Sequence, residues 1–403
     1  MHLLAGAMLV TFDIASAQDL PSPDILRAIA AKLPHQPPAG HATFQPSNSG
    51  ATDAVCKMQR FTMTLAAGTA SAHAVPVLLD QRPMNGDAPI TLLATLHRVT
   101  VDADGSPRTY HPDDPHGTGT CTSEIGPDGK ERYSGVCALD DFASAHLLVF
   151  QGARRLLKGE FEGPWRSIWP LIRDKKLPAV DLKQYVATAP DGYYFFYWKE
   201  RGLIAFFKRE IITQAADGYP CRHDTGYFVA ATTLQQDGES LPDGCTPARF
   251  MDAEQIPFFV LPDDGFGRAR VGDIVIGRLA GAPPDRVVYG VVGDTGPIAQ
   301  IGEGSIAFNQ ALLAKSNPIM NFHDIDPLDI NGAAVTILVL GGTKTLLNGD
   351  YSRQNIETIG RQEFARWNDD PSNPTRRLDA CVRGPAPVRP KQSHKPAGRS
   401  AAH

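Results

Sequence analysis

Two carboxylates, Asp294 and Glu303, stand nine positions apart in the stretch VVGDTGPIAQIGEGSIAF. They are its only acids, and Gly293, Gly296, Gly302 and Gly304 flank them. The pattern reads as a strand, RVVYGVV, a loop and a second strand, EGSIAF, and Asp-Thr-Gly-Pro is a sufficient turn for that. Turn chemistry leaves Glu303 unexplained, since it sits between two glycines at a strand start with no basic residue nearby. Glycines beside a carboxylate let another chain or a ligand come close to the backbone. Two acids at the ends of one loop can face each other across a groove, which is the equipment for cutting a glycosidic bond. One acid protonates the leaving oxygen, and the other activates water or attacks carbon. The glycines do not form a phosphate loop, because no Gly-Lys-Ser/Thr follows and a strand comes next. Ser305 has no G-x-S-x-G elbow around it, which sets aside a serine hydrolase.

A second acidic segment is VTVDADGSPRTYHPDD, residues 99–114. Counted from Asp102 as a calcium loop, it places Pro107 where an EF-hand needs glycine. The segment reads instead as a strand ending in an Asp104-Gly105 turn, with Asp102 or Asp104 able to project into a cleft. His111 and His223 have no second His or Cys at ligand spacing, and no CxxC is present, so no metal and no cofactor are expected.

The elements that must hold these acids read mainly as β. Runs such as ITLLATLHRV, GYFVAATTL, IPFFVLP, DIVIGRL, RVVYGVVGD and AAVTILVLGG are rich in Val, Ile and Phe and are bounded by Gly, Pro and Asp. Between about 140 and 186 the pattern turns helical. FASAHLLVFQGARRLLKGEF and PWRSIWPLIRDKK place apolar residues at three- and four-residue spacing, which predicts a helical insertion at about 116–190. GYYFFYWKERGLIAFFK returns to strand character. Trp165, Trp169 and Trp198 lie in or just past the insertion and read as buried packing. A C-terminal helical segment is expected over 346–381, with a helix from Tyr351 to Asn368.

The flanks differ in composition. Residues 1–17 carry an apolar run and a small-x-small cleavage pattern, Ala15-Ser16-Ala17, and read as a signal peptide. Residues 18–55 read as a Pro/Ala-rich linker with one helix, Pro23 to Leu33, capped by Ser22. Residues 382–403 hold five Lys or Arg, no acid and repeated Pro, and read as a disordered tail. Six cysteines in an exported chain favour disulfides, and Cys121–Cys137, Cys221–Cys245 and Cys56–Cys381 are the expected pairs. A net charge of -5 gives no basic surplus for nucleic acid. No apolar run reaches the ~20 residues of a membrane span. The expected setting is a monomer, secreted or periplasmic.

The string YGVVGDTGPIAQIGEGSIAFNQALL resembles the signature of the glycoside hydrolase family 75 chitosanases in its bacterial form. Other segments are similar to that family in the same order. These are VTVDADGSPRTYHPDD, GYFVAATTL, DAEQIPFFVLP, VGDIVIGRL and AAVTILVLGGT, covering about 91–115 and 226–343. The resemblance implies a double-psi-like β-barrel domain over 56–345 and an inverting chitosanase that cuts β-1,4-linked glucosamine polymer. It implies Glu303 as general acid and Asp294 as general base, with Asp102, Asp104, Tyr110, Thr295 and Ser305 contacting the substrate. The 116–190 insertion has no counterpart in the pattern, Ala230 replaces its usual Ser, and Thr295-Gly296-Pro297 lacks its polar Asn.

Overall fold

The computed structural model describes residues 20–33, 41–46, 55–66, 73–80, 90–129, 131–157, 159–207, 211–236, 245–262, 269–296 and 301–383. The expected signal peptide at 1–17 and the tail beyond 383 lie outside these residues.

Strands β1 (His41–Pro46), β2 (Gln59–Ala66) and β3 (His73–Leu79) run antiparallel into the long β4 (Leu92–Asp102). β5 (Cys121–Ile125) and β6 (Glu131–Gly135) make a hairpin. β7 (Leu147–Gln151), β8 (Arg154–Arg155), β9 (Val180–Asp181), β10 (Tyr194–Trp198) and β11 (Leu203–Phe207) form a separate sheet in the order β8-β7-β11-β10-β9. β12 (Phe258–Pro262), β13 (Ile274–Leu279), β14 (Val288–Gly296), β15 (Glu303–Ser305) and β16 (Ile330–Leu340) return to the main sheet. Among the described residues, six of these strands close into a barrel, β4-β15-β12-β14-β13-β16, because β16 pairs back onto β4. The fold is therefore mainly β, as the strand-like runs require.

Alternation along each wall strand feeds two cores, the period-2 consequence of the pleat. Leu92, Ala94, Phe259, Leu261, Val275, Val292, Ile337 and Val339 share one core with Phe308 and Leu312 of α4 (Ile306–Leu313). Leu93, Phe258, Val260, Ile274, Ile276, Val291, Leu338 and Leu340 share the other with Ile356, Phe364 and Trp367 of α6 (Arg353–Asn368). The expected helix thus begins two residues later than Tyr351, at the residue after its cap, Ser352. A short α5 (Phe322–Ile325) precedes β16, and α7 (Arg376–Arg383) follows α6.

The insertion differs from the expectation. PWRSIWPLIRDKK does form a helix, α3 (Glu162–Arg173). FASAHLLVFQGARR instead holds one helical turn, α2 (Phe142–Ala145), and then strands β7 and β8. The reason is burial on both faces. Leu147 and Val149 pack with Trp165 and Trp169 on one side of the sheet. Leu148 and Phe150 pack on the other side with Leu26, Ile29 and Leu33, which belong to or follow α1 (Pro23–Ala30). A strand buried on both faces reads as a continuous apolar run, which periodicity alone does not separate from a helix. The same sheet includes β10 and β11, so this unit extends to Phe207, beyond 190. Segment 18–55, expected as linker, likewise carries structure. Ser22 Oγ caps α1 by accepting from Ile25 N at 3.4 Å, and β1 joins the main sheet. Trp165 is fully buried and donates its indole N–H to Pro112 O at 2.6 Å, so it serves packing.

The three expected disulfides are present: Cys56–Cys381, Cys121–Cys137 and Cys221–Cys245. They fit an oxidising compartment. No helix among the described residues is long and apolar enough to cross a membrane. Cys56–Cys381 closes a span of 325 residues and ties α7 to the segment before β2. Its replacement by two alanines is expected to cost roughly 2–5 kcal/mol in chemical denaturation followed by tryptophan fluorescence.

Candidate active site

The site is built on one irregularity in the barrel wall. β12 and β14 run parallel, with Phe258 opposite Val291 and Phe259 opposite Val292. The register then shifts, and Val260 faces Asp294. Gly293 is the extra residue of a β-bulge. In an unbroken ladder Asp294 would face Leu261 and point into the apolar core of Phe259 and Val292. The bulge turns it onto the opposite face. Only glycine fits there, since a Cβ on Gly293 would lie 2.5 Å from Cβ and Cγ of Phe258.

On the other edge of β12, Val260 faces Glu303 of β15, and Glu303 faces Thr100 of β4. Thr100, Glu303, Val260 and Asp294 thus form one row across four strands. Asp294 and Glu303 point to the same side and are two strand spacings apart, about 9.5 Å between backbones. Glu303 Oε2 lies 3.3 Å from where a Cβ on Gly296 would be, so the absence of a side chain at Gly296 makes room for that carboxylate. Gly296 is two residues beyond Asp294 on β14, so the Glu303 carboxylate reaches across β12 to the strand that carries Asp294.

The two acids have different surroundings. Asp294 is 8% exposed, and three donors converge on its Oδ1: Thr233 N at 2.9 Å, Thr233 Oγ1 at 2.6 Å and Thr295 N at 2.7 Å. Burial raises its pKa, while these bonds work against the rise by favouring the carboxylate. Glu303 is half-buried. Its pKa is raised first by burial and then by the charge of Asp294, with Arg98 of β4 opposing. Asp294 is the better-held carboxylate.

The remaining expected contacts divide. Asp102 is on the same face as Glu303, because it pairs with Ser305 two residues along. Its Oδ1 accepts from Asp104 N at 2.8 Å. Asp104 is buried and accepts from the Tyr110 hydroxyl at 2.7 Å. Both carboxyls are pushed well above the usual range, by burial first and then by each other or Asp294. Thr295 stays partly exposed and shares a hydrogen bond at 2.8 Å with the Thr233 hydroxyl. Two expectations are corrected. Tyr110 is 1% exposed, with its ring packed against Phe142 and His146, so it supports Asp104 from behind. Ser305 is fully buried, caps α4 by accepting from Phe308 N, and donates to Ile256 O at 2.8 Å. Neither can touch a substrate.

Three residues of the site escaped the sequence reading. Asp140, at the edge of the insertion, is clasped to the turn after β4 by its N–H to Thr109 O, and it sits 3.4 Å from the Tyr110 hydroxyl. Thr233 supplies two of the donors to Asp294. Its only signal was a pair of threonines at the end of GYFVAATTL. Arg108 forms a buried ion pair with Glu254 at 2.6 Å and also donates to the carbonyls of Ile319 and Met320. Ser106 Oγ donates to the same Glu254 at 2.6 Å, so the Asp102–Tyr110 turn is fastened to the segment that leads into β12. Among the described residues no group of three His, Cys, Asp or Glu is placed to hold a metal ion.

The arrangement is a β-barrel wall carrying one buried and one half-buried carboxyl group across one strand, with three further acids beside them. A scan against protein-family models and a search of curated proteins find no match to the chain.

Two outcomes follow from this geometry. Gly293→Ala should destabilise the protein by roughly 1–3 kcal/mol through overpacking against Phe258, read as a lower midpoint in thermal denaturation. Burial, the largest cause, raises the Asp140 pKa to about 6. The folded chain then keeps a proton that the unfolded chain has lost, so stability falls as pH rises between about 4 and 6. Asp140→Asn removes that loss, and its stability relative to wild type should rise by about 2–3 kcal/mol across this window in urea titrations at successive pH values.

Proposed function

We propose that the protein is an exported, inverting glycoside hydrolase of the chitosanase type, acting on β-1,4-linked glucosamine polymer. The observation that carries this reading is the in-row placement of Asp294 and Glu303 on either side of Val260. A pair placed across one strand suits inversion, in which a water molecule must fit between carboxylate and sugar. Glu303 gives its proton to the glycosidic oxygen as the bond to the anomeric carbon breaks. Asp294 takes a proton from the water that attacks the same carbon from the opposite face. The raised pKa of Glu303 suits the acid, and the three donors on Asp294 suit the base.

The substrate class is supported by charge. Asp102, Asp104 and Asp140 add acids around the pair, and Arg98 is the cation that acts on Glu303. Acids grouped beside the pair favour a cationic sugar chain, whose ammonium groups carboxylates hold by charge-assisted hydrogen bonds. The ordered motifs that resemble those of family 75 point the same way, and the disulfides agree with export.

Reducing-end release from chitosan tests the reading. Glu303→Gln and Asp294→Asn should each lower turnover at least ~10²-fold while the fold is kept. Turnover by either variant at the wild-type rate removes the assigned pair. Release from peptidoglycan but not chitosan keeps the pair and changes the polymer. Binding of either glycan without release makes the protein a glycan binder.

A further inference from the structure

The two carboxylate oxygens of Asp294 have different surroundings. Thr233 N at 2.9 Å, Thr233 Oγ1 at 2.6 Å and Thr295 N at 2.7 Å all meet on Oδ1. Among the described residues no donor reaches Oδ2. A carboxylate has lone pairs on both oxygens, so Oδ2 keeps its capacity to accept. The hydroxyls beside Oδ1 are ordered by their single hydrogens. Thr233 has one to give, and the Asp294 carboxylate can only accept it. The 2.8 Å contact between the Thr233 and Thr295 hydroxyls is therefore donated by Thr295. The bonds run one way, from Thr295 through Thr233 to Oδ1, and each polarises the next.

The backbone fixes Thr233 to the strand of the base. Leu234 N donates to the carbonyl of Gly293, the bulge residue, at 2.9 Å. Thr232 Oγ1 donates to Leu234 O at 2.7 Å and accepts from Met251 N at 3.0 Å. A Cβ on Gly105 would lie 2.8 Å from Thr232 Cγ2, so the turn after β4 closes against the same segment. Thr232 and Leu234 are buried, whereas Thr233 between them is exposed. Its side chain adds little to the core, and its hydroxyl serves a buried carboxylate. The titratable groups that face Asp294 are Asp102 of β4, Asp104 of the turn after it and Glu303 of β15. Residues 232–234 and Val260 of β12 bring none. None of the facing groups is a cation, so neutral hydroxyl and amide donors hold the charge of Asp294.

We propose that Thr233 is the positioning residue of the base: with Thr295 behind it, it pins Asp294 Oδ1 and leaves Oδ2 as the oxygen that takes the proton of the attacking water. The consequence for catalysis rests on the reading of Asp294 as general base. The anchoring of Oδ1 does not.

Thr233→Val keeps the shape and removes the hydroxyl, and Thr233→Ser keeps the hydroxyl. The full chain, labelled with ¹³C at the aspartate carboxyls, is titrated with pH, and the Asp294 resonance is assigned by its loss in Asp294→Asn. Its midpoint should rise by roughly one pH unit in Thr233→Val, because the carboxylate loses a donor, and return to the wild-type value in Thr233→Ser. On chitosan, kcat of Thr233→Val should fall roughly tenfold with KM kept. The acid limb of its kcat/KM profile should move up with the carboxyl midpoint. Thr295→Val should shift both in the same direction by less, and it decides if Thr233→Val fails to fold. A midpoint and an acid limb that coincide in wild type and variant overturn the proposal. So does a rate lowered equally at every pH, the mark of a merely structural role. The titration needs no substrate. Failure to cut any glycan removes the hydrolase reading, and the midpoint shift still decides the anchoring. An unmoved midpoint with turnover intact removes the anchoring alone.

Discussion

One extra residue in β14 sets the direction in which Asp294 points. Side chains on a strand alternate, so a one-residue shift exchanges the buried apolar face for the other face. Gly293 supplies that shift, and the ring of Phe258 closes the space where any other side chain would stand. Without the bulge an aspartate would face Phe259 and Val292, in surroundings that cannot solvate a charge. With it, Asp294 joins Glu303 on one face of the sheet, with Val260 between them. The closed barrel then keeps the spacing, because β4, β15, β12 and β14 are hydrogen-bonded neighbours in a wall without free edges.

The supports around the pair follow from the cost of burying acids. Oδ1 of Asp294 is surrounded by three donors, and Asp104 is held by a phenol. Arg108 and Glu254 neutralise each other where the turn after β4 meets the approach to β12. The insertion contributes as well. Its sheet packs α1 on one face and α3 on the other, and its leading edge brings Asp140 to Tyr110. The added unit thereby becomes part of the charge balance of the site.

Several parts of this were legible in the sequence. The β-rich runs and their Gly, Pro and Asp boundaries foretold the barrel strands. The two short cysteine spacings foretold two disulfides, which left Cys56 for Cys381. Asp294 and Glu303 stood out because the glycines around them had no other use. The bulge was not legible, since a register shift depends on the partner strand and Gly293 alone does not announce it. The strand at Leu147–Phe150 was read as helix because both its faces are buried, which erases the alternation that marks a strand. Ser305 and Tyr110 belong to the right motifs but are buried and bonded to their neighbours, and motif position carries no information about burial. Asp140 and Thr233 lie far along the chain from the acids they serve, so only the folded arrangement brings them in.

The central claim is that Asp294 and Glu303, held apart across β12, act as base and acid on opposite sides of one sugar. Stereochemistry tests it most directly. Proton NMR of the first sugar released from β-1,4-linked glucosamine polymer, followed before mutarotation, should show the α-anomer appearing first, the result of a single displacement by water. The β-anomer appearing first would contradict the account, because retention requires a closer pair and a covalent intermediate.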